Sequence, residues 1–543
     1  MLRLSCFGVL GAGFAAFLLN CGGSDASGAG APMGGSGGGT LGGAGGAGGS
    51  TGGSGAVGGG SIGDAGIDAP PEQEIESSFR SPVATGKYVW AANPESGRVA
   101  LVDAQTYDVK IAEAGNGPTY LAAVPDPSSN AAVVLNVKSH DATLFRVAGN
   151  GEVSQKTLKT HSGANAWAVS PGGKWAIAWT DATAMKSPDP TDGFQDVTVI
   201  DLTIGKEVST ILTVGYRPTR LGFAKDETRA FAVTEPGISV LTLDGIEPSV
   251  SALVEVTDDP LENPASRDVT LTPDGAWALV RRDGNAAVSY VSLATGTRTD
   301  IQLTGPVTDL DLAEDGQRAV AVVRDTSEVF VLPVPGAATD PNSIDKKAIS
   351  GEFFGSVALS TDASVALLYT NAIESDHLTI LKLGPGPDYL THRTVALKAA
   401  VSAVFPAPDA KHAIVLQKTA PGSTKAGAFS VVSTVAQLSP KILGTDAAPN
   451  AVAIQPAPKS EHALVSVRDD QKKVFGVYRV KLGNLQVDYT KLASPPLATG
   501  IVAAANKGYV AQLHPEGRIT FVDFASGEVR TLTGFELGAK VVE

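Results

Sequence analysis

Short apolar runs recur along this chain, each broken by a tight polar turn. The stretch 269–280 shows the plan as VTL, TPDG and AWALV. Apolar runs of this length, bounded by Pro, Asp and Gly, predict two β-strands joined by a turn. Comparable copies begin near Tyr120, Ala168, Leu221, Val269, Asp309, Val357, Ala403, Val452 and Ile501, at spacings of 40 to 53 residues. A near-constant period of that size indicates one supersecondary unit used repeatedly.

The copy at Val269 predicts four strands, at 269–272, 276–280, 287–293 and 298–303. Between them lie Pro273-Asp274-Gly275, an Asp283-Gly284 loop and a Thr295-Gly296 turn. Such a four-stranded antiparallel meander has the size of one propeller blade. The same plan reads through 357–359, 365–369, 377–383 and 394–397, and again through 501–504, 509–513, 519–524 and 528–532. One such sheet cannot bury both faces by itself. Closing a ring stacks each sheet on its neighbours. No stretch after the first 80 residues carries a sustained helical period. The expectation is therefore an all-β propeller of four-stranded antiparallel blades over 81–543.

The first unit reads as incomplete: 88–92, 98–103 and 108–112 match strands two to four, with no first strand visible. The C-terminal segment GAKVVE, 538–543, or a neighbouring C-terminal strand, is expected to pair with it and close the ring. Nine full repeats plus one split repeat exceed the usual four to eight blades. One wide ring, two rings, or units packed outside a ring all remain open.

The turns, the segment YVWAANPESGRVALVDAQTYDV (88–109) and VSYVSLATG (288–296) resemble the YVTN-type repeat proteins and the lactonase-like propellers. That resemblance runs over about 88–532 and implies the fold rather than an activity.

The N-terminus breaks the pattern. Residues 1–20 carry Arg3 and then a short apolar stretch that ends at Leu18-Leu19-Asn20-Cys21. This is the form of a targeting segment. It resembles the lipobox of bacterial lipoproteins, with Asn20 where that family has Gly, Ala or Ser. The resemblance implies that Cys21 is lipidated and becomes the first residue of the mature chain. Residues 21–80 then form a Gly/Ser-rich tether, whose glycine-dense part, 22–67, cannot build a core. A coil of that length reaches about 35–40 Å. No aspartate follows Cys21, so by analogy the outer membrane is expected rather than the inner.

Cys6 and Cys21 are the only cysteines, so the repeat body holds no disulfide and no thiolate metal site. The net charge is −14, which argues against a nucleic-acid partner. No cofactor is expected. Seven histidines (His140, His161, His377, His392, His412, His462, His514) are scattered, with no metal-ligand spacing. Asp309 and Asp311 alternate on one predicted first strand, and Arg267 and Asp268 hold the equivalent place one unit earlier. Paired carboxylates can do acid–base work or hold a metal; a structural network fits them better.

The residues opening the loop after each second strand are the binding-face candidates: Asn93, Asn136, Asp181, Glu235, Arg282, Asp325, Asn371, Lys418, Arg468 and His514. The longest of these loops is 181–195, with Asp189 and Asp192 inside it. Its carboxylates lack the alternating spacing of a calcium loop, which leaves a recognition loop or a plain surface insertion.

The function expected is that of a lipid-anchored cell-envelope protein whose propeller binds or scaffolds a protein or polysaccharide. A lactonase-like hydrolase of a small cyclic ester and a purely structural surface protein are the alternatives.

Overall fold

The computed structural model describes residues 82–125, 130–435, 437–514 and 517–534. They form ten four-stranded antiparallel sheets. In chain order these blades span 83–113, 118–159, 166–213, 220–255, 267–302, 309–348, 356–396, 401–445, 448–491 and 496–533, numbered 1 to 10 below. Every blade pairs its strands in strict sequence order. The only α-helix among the described residues is the single turn Gly336–Thr339.

The turn between first and second strands shows why the repeat is legible. In blade 5 the Asp274 carboxylate accepts the amide of Ala276 at 2.9 Å, while Gly275 N donates to Thr272 O. The same aspartate bond recurs at Asp226, Asp315, Asp362 and Asp409. The residue after the aspartate is left-handed each time: Gly275 at φ +64°, Gly316 at +72°, but also Glu227 at +58°, Ala363 at +51° and Ala410 at +54°. The aspartate defines the turn and glycine merely relaxes it. Glycine adds close approach, since a Cβ on Gly275 would lie 2.6 Å from the Phe231 ring of blade 4.

Between blades the apolar faces fuse into ten clusters, each drawn from two neighbours. The tenth joins Val89, Ala100 and Val102 of blade 1 to Tyr509, Ile519 and Phe521 of blade 10. The blades therefore close one ten-bladed ring, which removes the two-ring and outside-unit alternatives.

Two expectations are corrected here. Blade 1 has its own first strand, Val83–Thr85, paired antiparallel with Tyr88–Asn93 through the Gly86-Lys87 turn. It needs no strand from the C-terminus; residues 538–543 themselves lie outside the described residues. The first strand of blade 10 is Pro496–Val502, with a 3-10 turn at Ala503–Ala505 where the strand was expected to continue. The signal, Cys21 and the tether also lie outside the described residues.

Cationic side chains fasten neighbouring blades at the carbonyls that follow third strands. Arg318 donates to Leu383 O at 2.8 Å, Lys382 to Thr434 O at 2.9 Å and Lys507 to Ala104 O at 2.8 Å. Arg479 reaches Asp523 O and Phe524 O, and Arg146 reaches Leu202 O. These contacts sit at the end of the blades that carries the first-to-second and third-to-fourth turns. The opposite end carries the loops after second strands and the connectors between blades.

Candidate functional site

Because the ten blades repeat one topology, the ten candidate residues fall at the same end of the ring, one per blade. The structure separates them by occupation. Asn93 caps the following turn, accepting from Glu95 N and Ser96 N. Asn136 is buried and donates to Asp141 and Thr143 at 2.6 and 2.9 Å. Asp181 caps the 3-10 turn Ala182–Ala184. Asn371 donates to Ser402 O, and Arg468 pairs with Asp470 at 2.9 Å. His514 is half-buried and already partnered. These side chains are spent largely on local structure.

Arg282 belongs to a clasp that sequence reasoning missed. The connector from blade 4 to blade 5 brings in Glu262, whose carboxylate holds Arg282 at 2.7 Å and Arg267 at 3.1 Å. Arg267 also donates to the carbonyls of Thr234 and Glu235 in blade 4. Burial opposes ionisation of Glu262, yet the hydrogen bonds from Arg282, Thr257 and Arg267 outweigh it and hold the carboxyl below its usual range. The clasp is a buried ion network between two blades. No short motif marks it, since its members lie on a connector and two strands.

Asp309 and Asp311 have a structural use. Asp309 accepts the amide of Val357 at 2.6 Å, and Asp311 that of Leu359 at 2.8 Å. Both acceptors face the first strand of blade 7, whose inner edge has no further strand to pair with. Across the same inner circle Arg220 donates to Val269 O at 3.0 Å. The histidines are dispersed too: His161 is buried against Thr198 at 2.8 Å, His412 bonds Asp409, and His462 stacks on Phe524. Among the described residues no three His, Cys, Asp or Glu side chains converge to hold a metal. No described helix is long and apolar enough to cross a membrane.

Three candidates keep their side chains unengaged by other described residues: Glu235, Asp325 and Lys418, with Asp325 and Lys418 exposed. Beside Glu235 stands the longest loop, 181–195. It is clamped from the next connector: Tyr216 donates to Pro190 O at 2.9 Å, and Arg217 reaches Asp189 O at 2.9 Å and Asp192 O at 3.2 Å. Arg217 is itself left-handed at φ +48° and lies over the Tyr216 ring. The loop is thus held in one shape on this end of the ring. A cleft of about 390 Å³ lies at the other end between blades 1 and 2, where Lys87, Asp103, Lys110 and Asn130 line it.

Fold and site together define a ten-bladed β-propeller protein. No known family matches the chain, and no curated protein matches it. Among solved structures it is similar to hydrazine synthase of Kuenenia stuttgartiensis, at 16% identity over 60% of this chain and 99% of that one, with a TM-score of 0.31. A eukaryotic initiation factor is similar at 13% identity over 74% and 94%, TM-score 0.49. A dihydro-heme d1 dehydrogenase is similar at 11% identity over 78% and 81%, TM-score 0.41.

Proposed function

We propose that the protein is a cell-envelope lipoprotein, anchored through Cys21 to the outer membrane, whose propeller binds or scaffolds a protein or polysaccharide. The propeller fold suits a binding or scaffolding module. The observation that carries the reading is the end of the ring bearing the second-strand loops. There Glu235, Asp325 and Lys418 are unspent, and Arg217 and Tyr216 hold the 181–195 loop ready for contact. A loop ordered in advance loses less entropy on binding. At the opposite end Arg318, Lys382 and Lys507 are spent on fastening blades.

Two measurements test this. Cys21→Ser releases the protein from the membrane fraction; retention there removes the anchor. Envelope components that bind the wild-type chain are expected to be lost from a triple variant, Glu235→Lys, Asp325→Lys and Lys418→Glu. Equal recovery by both chains moves binding away from this end of the ring.

A further inference from the structure

Each blade ends in an outer strand whose far edge has no pairing partner among the described residues. Exposed edges invite pairing with another chain, and a lysine or arginine on the edge is a common guard. Eight of the ten outer strands carry one, for instance Lys110, Lys156, Arg298, Lys346 and Arg530. The two that carry none are neighbours: Val208–Thr213 in blade 3 and Ser249–Glu255 in blade 4.

Exposed apolar side chains concentrate at the same place. Val208 and Ile211 are 56% and 51% exposed on blade 3, and Val250 and Leu253 are exposed on blade 4. The turns leading into these strands present Ile204 and Ile246, the latter wholly exposed. Six of the fifteen exposed large apolar side chains among the described residues lie in this strip.

We propose that the free edge of Val208–Thr213 pairs antiparallel with the same strand of a second copy of this chain, about a two-fold axis, with the blade 4 strip packing alongside. The self-complementary strand selects the occupant: the chain carries −14, so its own copy docks best along an edge that carries no charge. A two-fold pairing of VSTILT about Ile211 sets Ser209 opposite Thr213, Thr210 opposite Leu212 and Ile211 opposite its own copy, with no charged residue in the register. Of the carboxylates beside it, Asp196 accepts the Thr213 hydroxyl at 3.1 Å, and Glu207 is turned back onto its own ring, where Lys156 holds it at 3.1 Å and Arg146 at 3.8 Å. The blade 3 edge suits pairing better than that of blade 4. Its register runs unbroken from Asp196↔Thr213 to Asp201↔Val208, whereas a bulge bends the outer strand of blade 4. The two blade 3 sheets then form one continuous sheet through an isologous contact.

The experiment is sedimentation velocity on the full-length chain at micromolar concentration. The wild type is expected to run as a dimer and Ile211→Lys as a monomer with an unchanged circular dichroism spectrum. Should Ile211→Lys misfold, Leu253→Lys, on the exposed strip of blade 4, is expected to weaken the same dimer. A monomeric wild type, or dimers that survive a folded Ile211→Lys, overturns the proposal. So does dimer loss on the control Thr531→Lys, on the outer strand of blade 10.

Discussion

The hydroxyl of Tyr509 in blade 10 donates to the backbone carbonyl of Pro82, at the entry to blade 1, over 2.9 Å. The two residues are 427 positions apart. Around this bond Lys507 reaches Ala104 O and the Tyr107 hydroxyl, both at 2.8 Å, and Tyr107 meets the edge of Phe521. Among the described residues, ring closure is side-chain packing plus a few directed hydrogen bonds, with no strand exchanged between blades 1 and 10. Tyr509→Phe keeps the ring shape and strands the Pro82 carbonyl. It is expected to cost about 1–3 kcal/mol, read as a lower melting temperature. An unchanged melt means that closure rests on the apolar cluster alone.

Asp309 serves the next blade rather than a substrate. Asp309→Ala leaves the Val357 amide, bonded at 2.6 Å, without this acceptor. The expected loss is about 2–3 kcal/mol, measured by denaturant midpoint at constant slope. A variant as stable as the wild type refutes the bracing role.

Ala410 occupies the turn position that glycine fills in blades 5 and 6, at φ +54°. A Cβ in that region is strained, and glycine removes the strain at some cost in unfolded-chain entropy. Ala410→Gly is therefore expected to stabilise by about 0.5–1 kcal/mol. Destabilisation in a melting experiment contradicts the reading that the aspartate alone sets this turn.

Glu314 sits in the corresponding turn of blade 6. Burial, and then the charges of Asp311, Asp315 and Asp362, push its carboxyl up to about 7. A raised carboxyl favours the neutral form in the fold. Its destabilising effect is absent below its ordinary value of 4.5, grows as pH rises, and is complete above about 7. Glu314→Gln is expected to melt higher than the wild type at pH 8, by on the order of 2 kcal/mol, with the gap closing by pH 4. A gap that does not vary with pH counts against this assignment.

Arg217→Ala frees the loop 181–195 from the contacts to Asp189 O and Asp192 O. Faster proteolytic nicking inside the loop is expected, with a change in overall stability below about 1 kcal/mol. Unaltered nicking means that Tyr216 and the loop's own turns suffice.

Much of the fold was legible because a blade is a local object. Its strands are consecutive, its first turn is set by an aspartate bonding two residues on, and its continuous apolar runs, buried on both faces, stand out between polar turns. The strand expected at 365–369 is the one observed, Val365–Tyr369. Val83–Thr85 was missed because three residues are too few to show alternation. The rim was less legible. Polar residues after second strands are easily read, but which are spent depends on partners across blades, as Glu262 does for Arg282.

The sequence by itself determined the repeat, the all-β class and the position of the loops, since these follow from hydrogen bonds and periodicities within about fifty residues. Tertiary structure alone decided that ten blades make a single ring and that Asp309 is a brace. It also decided that Val208–Thr213 is an unguarded edge beside a second one. Those facts depend on which side chains meet across blade boundaries, and at the closure Tyr509 and Pro82 meet across 427 positions that no local pattern encodes.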